Sequence, residues 1–273
     1  MINADSAQVY RDLGVLSARP SPDEMQGIEH RLFGEWDGGD ACSAADWAAR
    51  AREVIAEVHG RGAVPILVGG TGLYLRTLLD GIAPVPPIDP AVREAVRALS
   101  VAEAYGALRA ADPERAALLS PNDSTRIARA LEVVRSTGRP LAVWQTDLTG
   151  GIGDAVALHP AVLLPPRDWL YDRCDLRFTL MLEQGALAEV EALLARRLDP
   201  ALPVMRAIGV PELAAHLRGE IALAVAESSG QQATRNYAKR QYTWFRRQPP
   251  PDWLRIESHD YDIESTFALL LRD

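Results

Sequence analysis

The sequence has few of the residues and patterns that mark secreted, membrane or metal-binding proteins. It holds two cysteines, Cys42 and Cys174, which are too few and too distant for a disulfide-stapled fold or a cysteine metal site. Its 5 histidines are scattered without a His-x-x-x-His spacing, which argues against zinc. No apolar run reaches the roughly 18 residues that a membrane helix needs, and the first residues do not resemble a signal segment. We therefore expect no membrane span and a cytoplasmic protein.

A lysine is missing from a stretch that otherwise looks like a phosphate-binding loop. VPILVGGTGLYLRTLL, residues 64–79, has the order strand, glycine loop and helix that offers backbone N–H groups to an anion. A nucleotide-binding P-loop is G-x-x-x-x-G-K-[ST], and the sequence does not contain this string. Positive charge is also scarce, because 29 basic and 37 acidic residues give a net charge of −8. This balance excludes indiscriminate nucleic-acid binding but leaves room for a local basic patch.

The order of helical and strand patterns predicts an α/β core with an inserted helical lobe. Ser43 and Asp46 form a capping box before a helix that ends near Gly60, and a β-branched run, residues 64–68, follows at once. This order, with a second apolar run at residues 161–166, indicates a parallel sheet covered by helices. Toward the end of the chain we expect a helix near Gln231 to Arg247 and a final strand in WLRIES.

Proline-rich APVPPIDP marks a hinge into an alanine- and arginine-rich helical section, which ends at glycine-rich TGGIGD. We therefore expect an α/β core formed by residues 1–88 and 151–273, and a helical insertion domain formed by residues 89–150.

Two polar residues are placed for chemistry at the predicted sheet edge. Asp5 follows the first apolar run, where an open parallel sheet binds its ligands, and a carboxylate there can accept a proton from an amine or a hydroxyl. Thr71 follows Gly69 and Gly70 and could bind a phosphate or a nucleobase at the same edge. Each residue also has a structural alternative, since aspartates stabilise loops and a threonine at this position can cap the next helix.

Arginines and lysines concentrate near the end of the chain. Segment TRNYAKRQYTWFRRQ, residues 234–248, contains 5 basic residues and no acid. Helical spacing places Arg235, Lys239 and Arg246 on one stripe with Tyr242 beside it, and Tyr237 on an opposite, packing face. We interpret this stripe as a surface that holds a polyanion backbone, with a solvated charged face as the alternative.

A second pair of arginines lies one helical turn apart in LYDRCDLRF. Arg173 and Arg177 could clamp a diphosphate through forked, charge-assisted hydrogen bonds. Asp172 and Asp175 offer the alternative of ordinary ion pairs on the same helix.

The segment NDSTRIARALEVV predicts another helix with a basic face. Asp123 or Ser124 caps it, apolar residues at helical spacing form its buried stripe, and Arg126 and Arg129 project away from that stripe toward phosphates. An ion pair between Arg129 and Glu132 is the competing interpretation.

Five segments, in this order, resemble the tRNA dimethylallyltransferases, also called isopentenyl-tRNA or IPP transferases: NADSAQVY, ILVGGTGLYL, PNDSTRIARALEV, LYDRCDLRFTLML and YAKRQYTWFRRQ. The resemblance covers about residues 2–248. It implies a P-loop NTPase-like parallel sheet core with a helical insertion domain. It also implies transfer of a dimethylallyl group from dimethylallyl diphosphate to the N6 amine of the adenosine 3′ of the anticodon.

The resemblance assigns roles to individual residues. It implies that Asp5 is the general base, that Thr71 contacts the target nucleotide and that Arg177 approaches the diphosphate and the reaction centre. The positions that it implies for tRNA contact are Asp5, Ser6, Ala7, Gln8, Thr71, Arg93, Thr125, Arg126, Ile127, Ala128, Arg129, Lys239, Arg240, Gln241, Tyr242, Thr243, Trp244, Phe245 and Arg246.

The resemblance also raises the question of the missing lysine loop, which in the family precedes the position of Asp5. We expect that a misplaced start or a truncated polypeptide explains its absence. The expected cofactor is Mg²⁺, carried by the donor diphosphate with no metal ligand in this chain. The expected partners are the tRNA anticodon stem-loop and dimethylallyl diphosphate, bound by a monomer. The alternatives are an incomplete fragment that binds tRNA only and a small-molecule nucleotide kinase-like protein, which leaves the basic stripe unexplained.

Overall fold

The computed structural model describes residues 1–268, which form helices around two short parallel sheets. Strand β1 (Ile2–Asn3) pairs with β2 (Leu67–Val68), and β3 (Ala161–Leu163) pairs with β4 (Leu254–Ile256). The final strand expected in WLRIES is therefore confirmed. The predicted parallel pairing of strands is confirmed, although the described residues form two parallel sheets of two strands each and not the single parallel sheet predicted. The run at residues 64–68 contributes only its last two residues, because Val64 is 82% exposed and does not pack as a buried strand residue would.

Contacts divide the chain into two compact units, and each has its own helices. The first unit comprises Met1–Leu78 together with the chain from Ala155 onward, and the second comprises Leu79–Asp154. Within residues 1–268 the helices are α1 (Pro22–Met25), α2 (Ala44–Gly60), α3 (Gly72–Asp80), α4 (Pro90–Arg97), α5 (Val101–Ala111), α6 (Pro113–Leu118), α7 (Ser124–Thr137), α8 (Leu141–Trp144), α9 (Arg167–Glu183), α10 (Ala186–Ala195), α11 (Val210–Leu217), α12 (Leu223–Arg247) and α13 (Ile263–Thr266), with 3₁₀ turns at Gly153–Ala155 and Val204–Arg206.

Helix α2 begins where its sequence predicts and supports strand β1. The Ser43 hydroxyl accepts from the backbone N–H of Asp46, and the Asp46 carboxylate accepts from the backbone N–H of Ser43, so the capping box is confirmed. Trp47 is fully buried, and its indole N–H donates to the carbonyl of Asn3 at 2.9 Å. The capped helix therefore fixes the strand that leads into Asp5.

Helices α9 and α12 pack against each other in the first unit. Helix α12 begins at Leu223 rather than near Gln231, and Ala226, Gly230 and Ala238 are its buried residues. Small side chains at these positions allow the two helices to approach closely, with the Phe178 ring of α9 lying against Gly230. The polar residues before Gln231 hide this stripe from a pattern search based on large apolar side chains.

The second unit is a helical lobe with its own core. Helices α4, α5, α6 and α7 bury Val96, Ala104, Leu108, Ala116, Ile127, Ala130 and Leu131 among themselves. Asp123 caps α7 by accepting from the backbone N–H of Arg126 at 3.1 Å, so this cap is confirmed. The predicted insertion, residues 89–150, lies inside this unit. Within residues 1–268, no helix combines the length and the apolar character that crossing a membrane requires.

Candidate active site

A cavity of about 330 Å³ in the first unit brings the loop after β1 together with α9 and α12. Its polar lining includes Asp5, Ser6, Arg177, Arg206, Thr234, Tyr237 and Arg240. Its apolar lining includes Leu13, Leu16, Phe178, Met181 and Ile208. The cavity therefore has charged groups able to handle a proton and an anion, and an apolar wall able to hold a hydrocarbon.

Asp5 lies in a loop that is held by the residue two positions before it. Asn3 is fully buried, and its side chain accepts from the backbone N–H of Asp5 at 2.8 Å and donates to the carbonyl of Leu32 at 3.1 Å. Oδ1 of Asp5 accepts from the backbone N–H of Ala7 at 2.8 Å. The loop-stabilising alternative for Asp5 is therefore confirmed, and it coexists with a place in the cavity wall.

Thr71 joins the glycine loop to the Asp5 loop. Its Oγ1 accepts from the backbone N–H of Ser6 at 2.9 Å and lies 3.2 Å from the Ser6 hydroxyl, to which it donates. Its backbone N–H donates to the carbonyl of Ala4 at 3.1 Å. The Thr71 hydroxyl thus bonds to the Asp5 loop and does not cap α3, which was the structural alternative.

Tyr237 lines the cavity, whereas helical spacing assigned it to a packing face. Its hydroxyl lies near the side chains of Thr71 and Ser6, which act to lower its pKa. Burial, followed by the nearby charge of Asp5, raises the pKa of Tyr237. The sequence places Tyr237 opposite the basic stripe correctly, but that opposite face of α12 borders a cavity rather than a filled core. Tyr237 is therefore a site residue that sequence reasoning missed.

The glycine loop packs closely against α12, which explains two of its glycines. A Cβ at Gly70 would collide with the Gln241 side chain, and a Cβ at Gly72 would collide with the Trp244 ring. Gln241 Nε2 also donates to the carbonyl of Gly70 at 2.9 Å. Gln241 and Trp244, both predicted tRNA contacts, thus secure this loop on α12.

Arg177 and Arg240 reach the cavity from different helices. The Arg240 guanidinium lies 5.5 Å from the centroid of the Tyr237 ring, close enough for a cation–π contact. Arg173 does not line the cavity with Arg177, because its guanidinium lies 5.8 Å from the centroid of the exposed Trp169 ring. The predicted diphosphate clamp therefore has one of its two arginines at the cavity.

The basic stripe of α12 is narrower than the sequence suggests. Arg235 forms an ion pair with Asp175 of α9. Arg235 is therefore not the free cation that the stripe predicted, and Asp175 pairs with α12 instead of with an arginine of its own helix. Lys239 and Arg246 are exposed, while the Tyr242 ring lies 4.9 Å from the Arg167 guanidinium. The exposed part of the stripe therefore consists of residues later in the helix.

Several other predicted tRNA contacts are partly occupied inside the first unit. The Gln8 side chain donates to the carbonyls of Ser17 and Ala18, each at 3.0 Å. The Thr243 hydroxyl donates to the carbonyl of Lys239 at 2.8 Å, and Phe245 packs edge-on against Trp244. Ala7 lines the cavity beside Ser6.

In the helical lobe, the predicted contacts divide into exposed and buried groups. Arg93, Thr125 and Arg129 are exposed, and Arg126 is exposed but pairs with Asp123 at 3.4 Å. Ile127 is fully buried and Ala128 is partly buried, so these two support the helix that carries the arginines. The alternative pairing of Arg129 with Glu132 is wrong, because buried Glu132 instead accepts from Arg97 at 2.9 Å.

A sequence model described as IPP transferase matches residues 8–248 of this chain. The chain belongs to the IPP transferase family. Family membership makes it a transferase.

Two relatives illustrate this family's likeness along the whole chain. The tRNA dimethylallyltransferase of Erythrobacter litoralis is 68% identical over 267 residues, which cover 98% of this chain and 84% of the relative. That of Novosphingobium aromaticivorans is 68% identical over 273 residues, which cover 100% of this chain and 97% of the relative.

Solved structures of IPP transferases have the same fold as this chain. The full-length tRNA isopentenylpyrophosphate transferase of Bacillus halodurans is 32% identical, with a TM-score of 0.68 over 98% of this chain and 84% of that one. A eukaryotic dimethylallyltransferase acting on tRNA is 26% identical, with a TM-score of 0.80 over 99% of this chain and 70% of that one. The mixed α/β fold of this chain is therefore similar to the fold of these solved structures.

Sequence reasoning also missed an aromatic residue, an arginine and a cysteine of the cavity wall. Phe178, Arg206 and Cys42 come from segments far apart in the chain, and nothing in their local sequence indicates a shared site. Burial raises the pKa of the Cys42 thiol to about 11, so the thiol is neutral near pH 7. Phe178 and Cys42 therefore add to the apolar wall of the IPP transferase cavity, and Arg206 adds a cation.

Proposed function

We propose that this chain transfers a dimethylallyl group from dimethylallyl diphosphate to the N6 amine of the adenosine 3′ of the anticodon in tRNA. The observation that carries the proposal is the cavity that holds Asp5, Arg177, Tyr237 and Arg240 together beside an apolar wall. A base, cations and a hydrocarbon-binding surface are what this transfer needs. The names of the relatives support the same reaction.

The chemistry divides between Asp5 and the arginines. A bond forms between N6 and the first carbon of the dimethylallyl group, and the bond from that carbon to the diphosphate oxygen breaks. The electron pair leaves with the diphosphate, whose charge Arg177 stabilises. The amine proton passes to the carboxylate of Asp5. Since an amine conjugated to a purine is a weak nucleophile, holding it in line with the carbon provides much of the acceleration.

Thr71 and Tyr237 would keep Asp5 aimed at the amine. Thr71 bonds to both the backbone and the hydroxyl of Ser6, the neighbour of Asp5, and the Tyr237 hydroxyl lies near the side chains of Thr71 and Ser6. We therefore assign Thr71 a positioning role at the edge of the reaction centre, with the target nucleotide beside it.

The target adenine must leave the anticodon stack to reach a cavity of this kind. Unstacking a base costs a few kcal/mol, which contacts in the pocket and to the backbone offset. Exposed Lys239, Arg240 and Arg246 of α12 are the cations that would hold the phosphates. In the lobe, exposed Arg93 and Arg129 offer the same chemistry. The remaining predicted tRNA contacts stay part of this proposal.

Mg²⁺ enters the proposal only with the donor diphosphate. Among residues 1–268, no group of three or more histidine, cysteine or carboxylate side chains could hold a metal ion. No step above uses a metal ion held by the protein. We further propose a P-loop NTPase-like fold for the core, a monomeric state and a cytoplasmic location, where tRNA is modified.

A transfer assay tests the proposed function. The 273-residue chain is incubated with dimethylallyl diphosphate, Mg²⁺ and an anticodon stem-loop that carries either adenosine or guanosine 3′ of the anticodon. Nucleoside mass spectrometry should detect dimethylallyl-adenosine only from the adenosine substrate. Stem-loop binding without any prenylated product would refute transfer by this chain and favour the binding-only alternative.

Two variants of α12 test the proposed tRNA surface. Lys239→Ala should weaken binding of the stem-loop and reduce the slope of log affinity against log salt by about one unit, because one phosphate contact is lost. Arg235→Ala is the matched control, since its guanidinium is already paired with Asp175. An equal loss of salt dependence in both variants would contradict the assignment of the exposed stripe.

A further inference from the structure

One face of α12 contributes Thr234 and Tyr237 to the cavity wall and carries Gly230 and Gln241 beside them. Gly230, Thr234, Tyr237 and Gln241 succeed one another at helical spacing on this face. Tyr237 and Gln241 lie at the Ser6, Thr71 and Gly70 contacts, whereas Gly230 lies against the ring of Phe178. Gly230 and Tyr237 are seven positions apart in the chain, which is about 10 Å along the helix axis.

Phe178 belongs to the apolar wall of the cavity. It lines the cavity yet is only 2% exposed, so its ring forms part of the wall with the rest of the side chain in the core. The ring packs directly against the backbone of two glycines, because a Cβ at Gly230 or at Gly209 would contact it. A Cβ at Gly209 would also collide with Leu16, another residue of the apolar wall. The position of this wall is therefore set by backbone, which moves little.

The geometry of the displacement determines the direction in which the prenyl tail extends. Nucleophile and leaving group occupy opposite sides of the reacting carbon, so the tail must extend sideways from the line that joins them. Asp5 and Arg177, which serve the two ends of that line, both border the cavity. The apolar wall of Leu13, Leu16, Phe178 and Met181 is the lateral surface available to a hydrocarbon tail.

We propose that Phe178 is the specificity-determining residue that limits the donor to a five-carbon prenyl group. Its ring is the largest purely hydrocarbon side chain in the cavity wall, and it occupies space that the next isoprene unit of a longer donor would need. This inference rests on the proposed function, since it assumes that a prenyl diphosphate occupies the cavity. Arg177, which precedes Phe178 on α9, links the wall to the diphosphate end of the same donor.

The test compares dimethylallyl diphosphate with geranyl diphosphate, which carries one more isoprene unit. Single-turnover transfer to the anticodon stem-loop and calorimetric binding of each donor are measured for the wild type, Phe178→Ala and Phe178→Leu. Phe178→Ala should raise the ratio of geranyl to dimethylallyl transfer by about 10- to 100-fold, as removal of bulk from an apolar pocket does. Phe178→Leu should give a smaller rise in the same direction and, as a volume-similar apolar change, should keep the fold.

Leu180→Ala is the matched control, because Leu180 lies on the same helix, is 41% exposed and does not line the cavity. It should leave the donor ratio unchanged. An unchanged ratio in both folded Phe178 variants, with normal dimethylallyl transfer by the wild type, would overturn the role of Phe178 alone. A wild type that neither binds nor transfers dimethylallyl diphosphate would overturn the proposed function and this inference with it.

Discussion

Asp5→Asn separates the proton-accepting role of Asp5 from its role in the loop. An asparagine keeps an oxygen at the Oδ1 position, so the hydrogen bond from the backbone N–H of Ala7, 2.8 Å long in the native chain, can persist. The hydrogen bonds of the Asn3 side chain to the Asp5 backbone N–H and the Leu32 carbonyl do not involve the Asp5 carboxylate and are unaffected. The substitution therefore removes the base and leaves the turn.

The expected magnitude follows from what a general base contributes. Its loss slows proton transfer by about 10²- to 10⁴-fold, which corresponds to roughly 3 to 5 kcal/mol of activation free energy. The loop loses only the difference between a charged and a neutral acceptor, about 1 kcal/mol, so the melting temperature should fall by no more than about 4 °C.

The assay is single-turnover transfer at saturating donor and stem-loop, with stem-loop affinity measured in parallel. Asp5→Asn should lose rate and keep affinity. Asp40 is an exposed aspartate outside the cavity, so Asp40→Asn is the control and should keep both the transfer rate and the stem-loop affinity. A transfer rate for Asp5→Asn within about threefold of the wild type would refute Asp5 as the general base.

Three further outcomes are expected. Tyr237→Phe removes the hydroxyl beside Thr71 and Ser6, a polar contact worth about 1 kcal/mol, so transfer should slow by about fivefold while stem-loop affinity stays constant. Glu189→Gln leaves one acceptor oxygen where the carboxylate accepts from three consecutive backbone N–H groups, so urea unfolding should show a loss of about 1–3 kcal/mol. Burial raises the pKa of Cys42 to about 11. Its folded thiol therefore binds its proton more tightly than the unfolded one, stability declines as pH rises from about 9 to 11, and Cys42→Ala should flatten that decline in denaturant titrations.

Local patterns in the sequence predicted the elements whose causes are themselves local. The capping box of Ser43 and Asp46 and the Asp123 cap depend on residues three apart, and both are found where expected. The family resemblance depends on strings of adjacent residues, and the family match confirms it. Asp5 was chosen from its position after an apolar run, and it does line the cavity.

Tertiary packing decided which side chains share the site and which charges stay free. Tyr237 borders the cavity because α12 turns that face toward the Asp5 loop, and Arg235 is neutralised because Asp175 stands opposite on α9. Phe178 reaches the cavity between two glycines distant in sequence. Periodicity specifies which residues share a face of a helix, but what lies against that face depends on long-range packing. That is why the sequence by itself determined the family, the caps and the basic helix, and only the assembled core determined the cavity.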